Sequence, residues 1–458
     1  MREDRYFSPN PQQKALARCL YGLVKKAPIV SPHGHVSPKI FSLADYRFPD
    51  PVALLFQSDH YILRMLYSQG ISYETLLSRE NPRQVWGVFA ENYHLFRGTP
   101  SGVWMDHQLE HLFGITEKLD KSNAGEVYER IEAQLAAEDF TPRKLFHRFG
   151  IEVLATTDSA CDPLDDHKAI HQSDWLGRVI PTFRIDDLLD IDHKDWVEKV
   201  QQLSRISGVT IHSFEGFVTA IEHRRSAFKA LGATASDISM KEPRSIKLGS
   251  NEVKRIFISG LRGQATPAEA AQFSAHMLYE LARMSCEDGL VLQIHAGVFR
   301  NHNPQVDAQF GPDMGFDIPI AVEFTNNLFP LLRDFGNHPN LHLILFTLDE
   351  SCYSRELAPL AGAYPTVKLG PPWWFLDSLN GIRRYFETVM ETAGVYNTSG
   401  FVDDVRTLVA IPARHDVWRR TSADWLAGLI LRGVIDEHDA EDLIWALAAD
   451  LAKAAYKL

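Results

Sequence analysis

Residues 28–35 read Pro28-Ile29-Val30-Ser31-Pro32-His33-Gly34-His35. A short apolar run ends in two histidines at period two, so both imidazoles leave an extended chain on one face. The span of an i, i+2 repeat, about 7 Å, separates them, and they can converge on one divalent ion. In a parallel α/β barrel, chemistry-bearing residues sit at the C-terminal ends of strands, where this pair lies. The competing reading is a turn that happens to carry two histidines.

Seven further apolar runs follow the same pattern, at 151–158, 178–184, near 232–239, 290–295, 341–349, 366–370 and 400–406. Helical periodicity separates them: residues 266–284 place Ala271, Phe273, Met277, Leu278 and Leu281 on one face, and 440–455 form another such segment. Eight strands alternating with helices predict an α/β fold, a distorted (β/α)8 TIM-type barrel. The first connection is about 115 residues long. A structureless loop of that length is improbable, and its segments 61–69 and 127–138 look helical. Residues 40–148 are therefore expected to be a helical insertion covering the barrel mouth, with the barrel built from 1–39 and 149–458. A second helical insertion, about 190–231, follows the third strand, and closing helices follow Arg420.

The chain has 458 residues, 45% of them hydrophobic, and a formal charge of −12. This is enough for a large core and excludes a disordered or coiled-coil chain. Bulk electrostatics disfavour nucleic acid as a partner. No apolar stretch approaches a membrane span. The start, Met1-Arg2-Glu3-Asp4-Arg5, is charged, so no signal peptide is expected. The four cysteines, Cys19, Cys161, Cys286 and Cys352, are scattered. Reduced thiols in a cytoplasmic protein fit them better than disulfides.

Several residues at expected strand ends can carry chemistry. Asp404 closes the eighth run; strands one and eight of a closed barrel are neighbours, so this carboxylate can join His33 and His35 on one ion. The alternative is a helix N-cap, a role that Asp403 can take instead. At strand spacing, Asp404 and Arg406 share a face. His295 ends the fifth run and faces either the ion or the substrate, unless it is a satisfied core histidine. Arg184 and Arg406 inside a barrel are costly unless they meet an anion; the alternative is structural ion pairing. Trp374, in Trp373-Trp374-Phe375, can pack on a sugar face or simply fill a core. His60 and Tyr61 in the insertion are candidate acid–base groups if it covers the mouth, and ordinary helix residues if it does not.

This arrangement of histidines and aspartate resembles the amidohydrolase superfamily of metal-dependent barrels. There is no bridging lysine near Ser236-Asp237, and Thr347-Leu348-Asp349 offers no ligand histidine; both departures favour one ion over two. The closer resemblance is to the uronate (glucuronate) isomerase family, over nearly the whole chain. It rests on Ser58-Asp59-His60-Tyr61, Phe113-Gly114-Ile115, Ala155-Thr156-Thr157-Asp158, Pro181 to Arg184, and His295 with Arg300-Asn301-His302-Asn303. Residues 311–317, Trp373-Trp374-Phe375, Asp404-Val405-Arg406 and Arg414-His415-Asp416 complete it. The resemblance implies His33, His35 and Asp404 as metal ligands, with His60, Tyr61, Arg184, Trp374 and Arg406 around a sugar acid. Ser31-Pro32 stand where the family usually has an aspartate and an aromatic, and Asp403 and Val405 where it usually has small hydroxyl residues.

The implied activity is an aldose–ketose isomerisation of hexuronates, D-glucuronate with D-fructuronate and D-galacturonate with D-tagaturonate. It moves a proton between C2 and C1, with Tyr61 or Asp404 as the carrier. The ligand set suits zinc, with manganese or iron as alternatives. Competing readings are a mononuclear hydrolase or decarboxylase acting on a small carboxylate, and an inactive sugar-acid binding protein. The sequence leaves homo-oligomerisation open.

Overall fold

The computed structural model describes residues 2–458, the side chain of Phe375 excepted. Many helices begin on a polar residue followed by proline. Asn10, Asp50, Asn81, Thr99, Thr141, Thr266 and Asn303 each precede a proline at the first helical position, and each side chain accepts backbone N–H groups of the first turn. Proline loses nothing there, because that N–H has no helical partner, and the cap satisfies the next ones.

The strands are β1 (Ile29–Ser31), β2 (Ile151–Ala155), β3 (Asp158–Ser159), β4 (Val179–Ile180), β5 (Phe183–Arg184), β6 (Ala235–Met240), β7 (Val291–Ala296), β8 (Val298–Phe299), β9 (Ile318–Pro319), β10 (Leu343–Thr347) and β11 (Val367–Leu369). They form parallel sheets in the orders β1-β2-β4 and β11-β10-β7-β6-β5-β3; β8 and β9 make a separate antiparallel pair. The second and third expected strands are each broken: β3 continues β2, and β5 continues β4. Thr156 bridges the gap, donating to Ile180 O and accepting from Thr182 N. The long strands β7 and β10 are buried at every residue, as a parallel sheet covered on both faces requires.

One expectation fails. Residues 400–406 are not a strand. Just before them, Thr398 makes an isolated parallel bridge to Leu369, and Asp404 takes a left-handed backbone with φ of 44°. The period-two argument that set Asp404 and Arg406 on one face needs extended backbone, so it does not hold. The run expected near 232–239 is a strand, shifted to Ala235–Met240.

Between Ser31 and Ile151 the described residues contain helices and no strand. The helices His60–Tyr67 and Ala124–Leu135 fall within three residues of the expected segments. Their apolar faces meet in one cluster with Phe56, Trp86, Phe89 and Phe113, which also takes in Ile29, Leu154 and Val405. The stretch after the third run holds helices Trp196–Ser207 and Phe214–Ala230. A long helix, Ile411–Leu431, packs against β1 and Pro11–Val24 with most of its residues buried. No helix among the described residues is long and apolar enough to cross a membrane. All four cysteines are free thiols.

Candidate active site

The chain after β1 turns so that His33 and His35 face Asp404. Asp404 N donates to His33 O at 3.3 Å, and His35 N to Val405 O at 2.7 Å. These two bonds clamp segments about 370 residues apart in sequence. His33 Nε2 lies 3.6 Å and His35 Nε2 3.2 Å from Asp404 Oδ1. The rings are 5.4 Å apart and perpendicular, closer than the extended repeat predicts. Ligands about 2.1 Å from a tetrahedral ion lie roughly 3.4 Å from one another, so the spacing is that of a metal shell. Asp404 Oδ1 is buried without a hydrogen-bond partner, which a cation would supply. Burial brings the His33 imidazole down to about 3, so it is a neutral lone-pair donor at pH 7. Burial alone would raise Asp404, but the hydrogen bond and pull of His35 outweigh it and hold the carboxyl well below the usual range.

Asp403, weighed as a helix cap, is instead a strut. Its carboxylate accepts from Ser31 Oγ at 3.0 Å and pairs with His415 Nε2 at 3.0 Å, all three buried. It thus ties the end of β1 to the helix Ile411–Leu431 and fixes its neighbour Asp404.

A second group shares His33. Asp237, fully buried on β6, lies 2.8 Å from His295 Nε2 and 3.3 Å from Arg184 Nη1. Burial pushes its carboxyl up, but His295 and Arg184 outweigh that and hold it well below the usual range. The ligand atoms of His33, Asp237 and His295 lie within 4.8 Å of one another, as do those of His33, His35 and Asp404, so either set is close enough to share an ion. Asp237 carries no assigned role in the sequence; the usable signal was a carboxylate in a short strand, Ala235–Met240, whose first four residues are buried. Both readings of Arg184 have substance: it pairs with Asp186 at 2.7 Å as well as Asp237, and still lines the cavity.

The helix His60–Tyr67 delivers the next pair. Asp59 caps it, accepting from Tyr61 N at 2.9 Å, which sets His60 and Tyr61 in the first turn. Gly315, with φ of 86°, seats the 311–317 loop against this turn; a Cβ there would lie 2.7 Å from His60 O. Trp374 Nε1 donates to His60 Nε2 at 2.9 Å. An indole N–H can only donate, so His60 carries its proton on Nδ1. Burial takes its pKa to about 3. His60 is therefore a neutral donor through Nδ1, and its Nε2 is not available as a base. Burial also raises the Tyr61 phenol well above its usual range, against the pull of Arg414. Trp373 donates its indole N–H to Asp404 Oδ2 and packs edge-on to His295 at 4.2 Å.

A cavity of about 360 Å³ collects these groups. His33, His35, His60, Tyr61, Arg184, His295, Trp374, Asp404 and Arg406 all line it, so the structure brings together every residue the sequence singled out. Asp59, Arg300, Asp313 and Arg414 join them; they stand in the quoted motifs but carried no assigned role. The four arginines differ in pairing. Arg414 binds the buried Asp377, Arg300 binds Asp317 at 2.6 Å, and Arg184 has two acids. Among the described residues Arg406 makes one ion pair, with Asp313 at 3.7 Å. It is the cation with most charge left over for a ligand.

Known proteins share this frame. A family model described as glucuronate isomerase matches residues 8–454. The uronate isomerase of Nostoc punctiforme is 49% identical over 462 residues, covering 99% of this chain and 98% of that protein. That of Brucella suis is 47% identical, with 99% of each covered. The crystal structure of glucuronate isomerase from Caulobacter crescentus superposes with a TM-score of 0.98 at 46% identity, covering 100% of this chain and 97% of that one. That of uronate isomerase from Thermotoga maritima gives 0.94 at 26% identity, covering 100% and 99%. With the match running over residues 8–454, which include every residue lining the cavity, the protein belongs to the glucuronate isomerase family.

Proposed function

We propose that the cavity interconverts hexuronates with their ketoses, D-glucuronate with D-fructuronate and D-galacturonate with D-tagaturonate. The observation that carries this is the placement of the under-paired Arg406 in the same 360 Å³ space as the histidine–aspartate cluster. A sugar acid needs both an anion anchor and polar groups at its reacting end. Relatives at 46–49% identity over the whole chain are uronate isomerases, which leaves the hydrolase, decarboxylase and inactive-binder readings without support.

His33, His35 and Asp404 would hold one divalent ion, zinc, with manganese and iron as alternatives. When bound, that ion supplies positive charge that orients and polarises substrate oxygens. Arg406 binds the substrate carboxylate in a charge-assisted pair. Arg184, steadied by Asp186 and Asp237, and His295 contact the sugar chain, and Trp374 packs on its carbon face. A proton leaves C2 as the carbonyl oxygen at C1 gains one, giving an enediol. The C2 hydroxyl then loses its proton and C1 receives one, so the atoms balance. Asp404, held ionised, accepts the carbon-bound proton. Tyr61, kept neutral by burial, donates to the developing oxyanion. His60 offers its Nδ1–H to a substrate oxygen.

The same reading extends to architecture. The strands close as a distorted (β/α)8 barrel, supported by the bond from Ser399 N to Leu369 O and by the two bonds joining residues 404–405 to 33–35. Residues 40–148 act as a helical cover over the mouth, supported by the position of His60 and Tyr61 in the cavity; the barrel is then 1–39 and 149–458. The free thiols fit a cytoplasmic setting.

The test is direct. Metal-loaded protein is incubated with D-glucuronate, D-galacturonate and neutral hexoses, and ketose formation is followed by NMR. Turnover of at least one uronate is expected. Inactivity on all uronates with intact metal content would overturn the reading.

A further inference from the structure

On the far side of the helix Ile411–Leu431 lies a larger cavity, about 840 Å³. Arg414 faces the candidate active site, while Asp416, Arg419 and Arg420 line this second space. Two residues along a helix are ~200° apart, so the two cavities flank opposite faces of the same two turns. They also lie at opposite ends of β1: Ala27 and Ile29 line the groove, whereas His33 and His35 line the active site.

The groove contradicts the charge of the chain. The protein carries −12 overall, yet seven Lys and Arg side chains line this space against two acids, Glu3 and Asp416. Asp416 is already saturated. It accepts from Arg5 at 2.6 Å, from Arg420 at 2.9 Å and from the Tyr21 hydroxyl. Arg419, 5% exposed, has no carboxylate partner among the described residues. It donates Nη2 to the carbonyls of Ala27 and Pro28 at 2.9 Å each, and its Nε is buried with no partner, as is that of Arg5. Burial brings Arg419 down to about 10, consistent with an under-compensated cation. Lys25, Lys26 and Arg148 stand at the rim at helix C-termini, where the helix dipole accounts for them. It does not account for Arg419 in mid-helix. A buried guanidinium without a counter-charge is costly; Arg5, Arg419 and Arg420 set three cations against the single carboxylate of Asp416, while Arg18 is met by Asp4 at 3.6 Å.

We propose that this groove is a second site, for a small oxyanion of the phosphate class, either inorganic phosphate or a phosphomonoester. A monocarboxylate such as the substrate would leave the floor still under-compensated, whereas a phosphate brings nearly two charges and several acceptors to the fork geometry of arginine. Nothing in this assignment depends on the proposed isomerase activity.

Calorimetric titration tests it, with inorganic phosphate, glucose 6-phosphate and, at matched ionic strength, chloride. Three variants are compared with the unaltered chain: Arg419→Met, the exposed double variant Lys25→Glu, Lys26→Glu, and Arg406→Met in the other cavity. One phosphate per chain is expected to bind, at least tenfold more weakly in the groove variants and unchanged in Arg406→Met. A tighter fit of the ester points to a phosphorylated metabolite; equal affinity points to the free ion. Should Arg419→Met fail to fold, the rim variant keeps the test open. The proposal fails if phosphate binds no better than chloride. It fails if binding is lost in Arg406→Met and kept in the rim variant. It also fails if the rim variant changes the oligomeric mass, because the groove is then an interface between copies.

Discussion

Replacing Arg406 with methionine should separate binding of the substrate carboxylate from stability. The side chain is 27% exposed, and its ion-pair partner among the described residues, Asp313, is 55% exposed at 3.7 Å. Such a pair contributes about 0–1 kcal/mol to folding. Methionine keeps most of the stem's packing, so the melting temperature should hold or rise. The loss on substrate is larger. A charge-assisted hydrogen-bonded pair in a partly enclosed site is worth about 1.5–3 kcal/mol. At 1.4 kcal/mol per decade this lowers kcat/KM about 10- to 150-fold. The control is D-glucuronamide, which keeps the shape and removes the charge; on it the variant should lose less than about threefold. The assay measures kcat/KM for both compounds in both proteins, together with thermal unfolding. Equal losses on acid and amide would refute the carboxylate role. A large fall in stability with normal kinetics would make Arg406 a structural partner of Asp313.

Three further outcomes are expected. Elemental analysis should find one divalent ion per chain, absent from a His33→Ala, His35→Ala double variant; undiminished metal there would sink the ligand assignment. Tyr61→Phe should lower turnover of uronates about a hundredfold or more with metal content unchanged, and a fully active variant would leave the insertion a passive cover. His60, with a pKa near 3, binds a proton only below that value, so it stays neutral above it. Its imidazole ¹⁵N signals should therefore be flat from pH 5 to 8, with the proton on Nδ1. A titration near 6.5, or a proton found on Nε2 in the unaltered chain, would contradict the tryptophan contact.

The sequence by itself determined the α/β class, the helical stretch after the first strand and nine of the residues that line the cavity, but gave no role to Asp59, Arg300, Asp313 and Arg414. Those features are local: apolar period, and histidines at spacing two. Asp404 and Arg406 were found for a reason that proved incomplete, since the chain around them is not extended and Asp404 is left-handed. Only the tertiary structure decided how the groups act on one another. The His33–Asp404 contact, the placement of Asp237 between Arg184 and His295, and the Trp374 bond that fixes the tautomer of His60 all join segments distant in the chain. Arg414, Asp416 and Arg419 are neighbours in one helix, yet they serve two cavities. Periodicity reports which face of an element is buried; it carries no information on which distant charge is waiting there, and that charge decides protonation state, pairing and what remains free for a ligand.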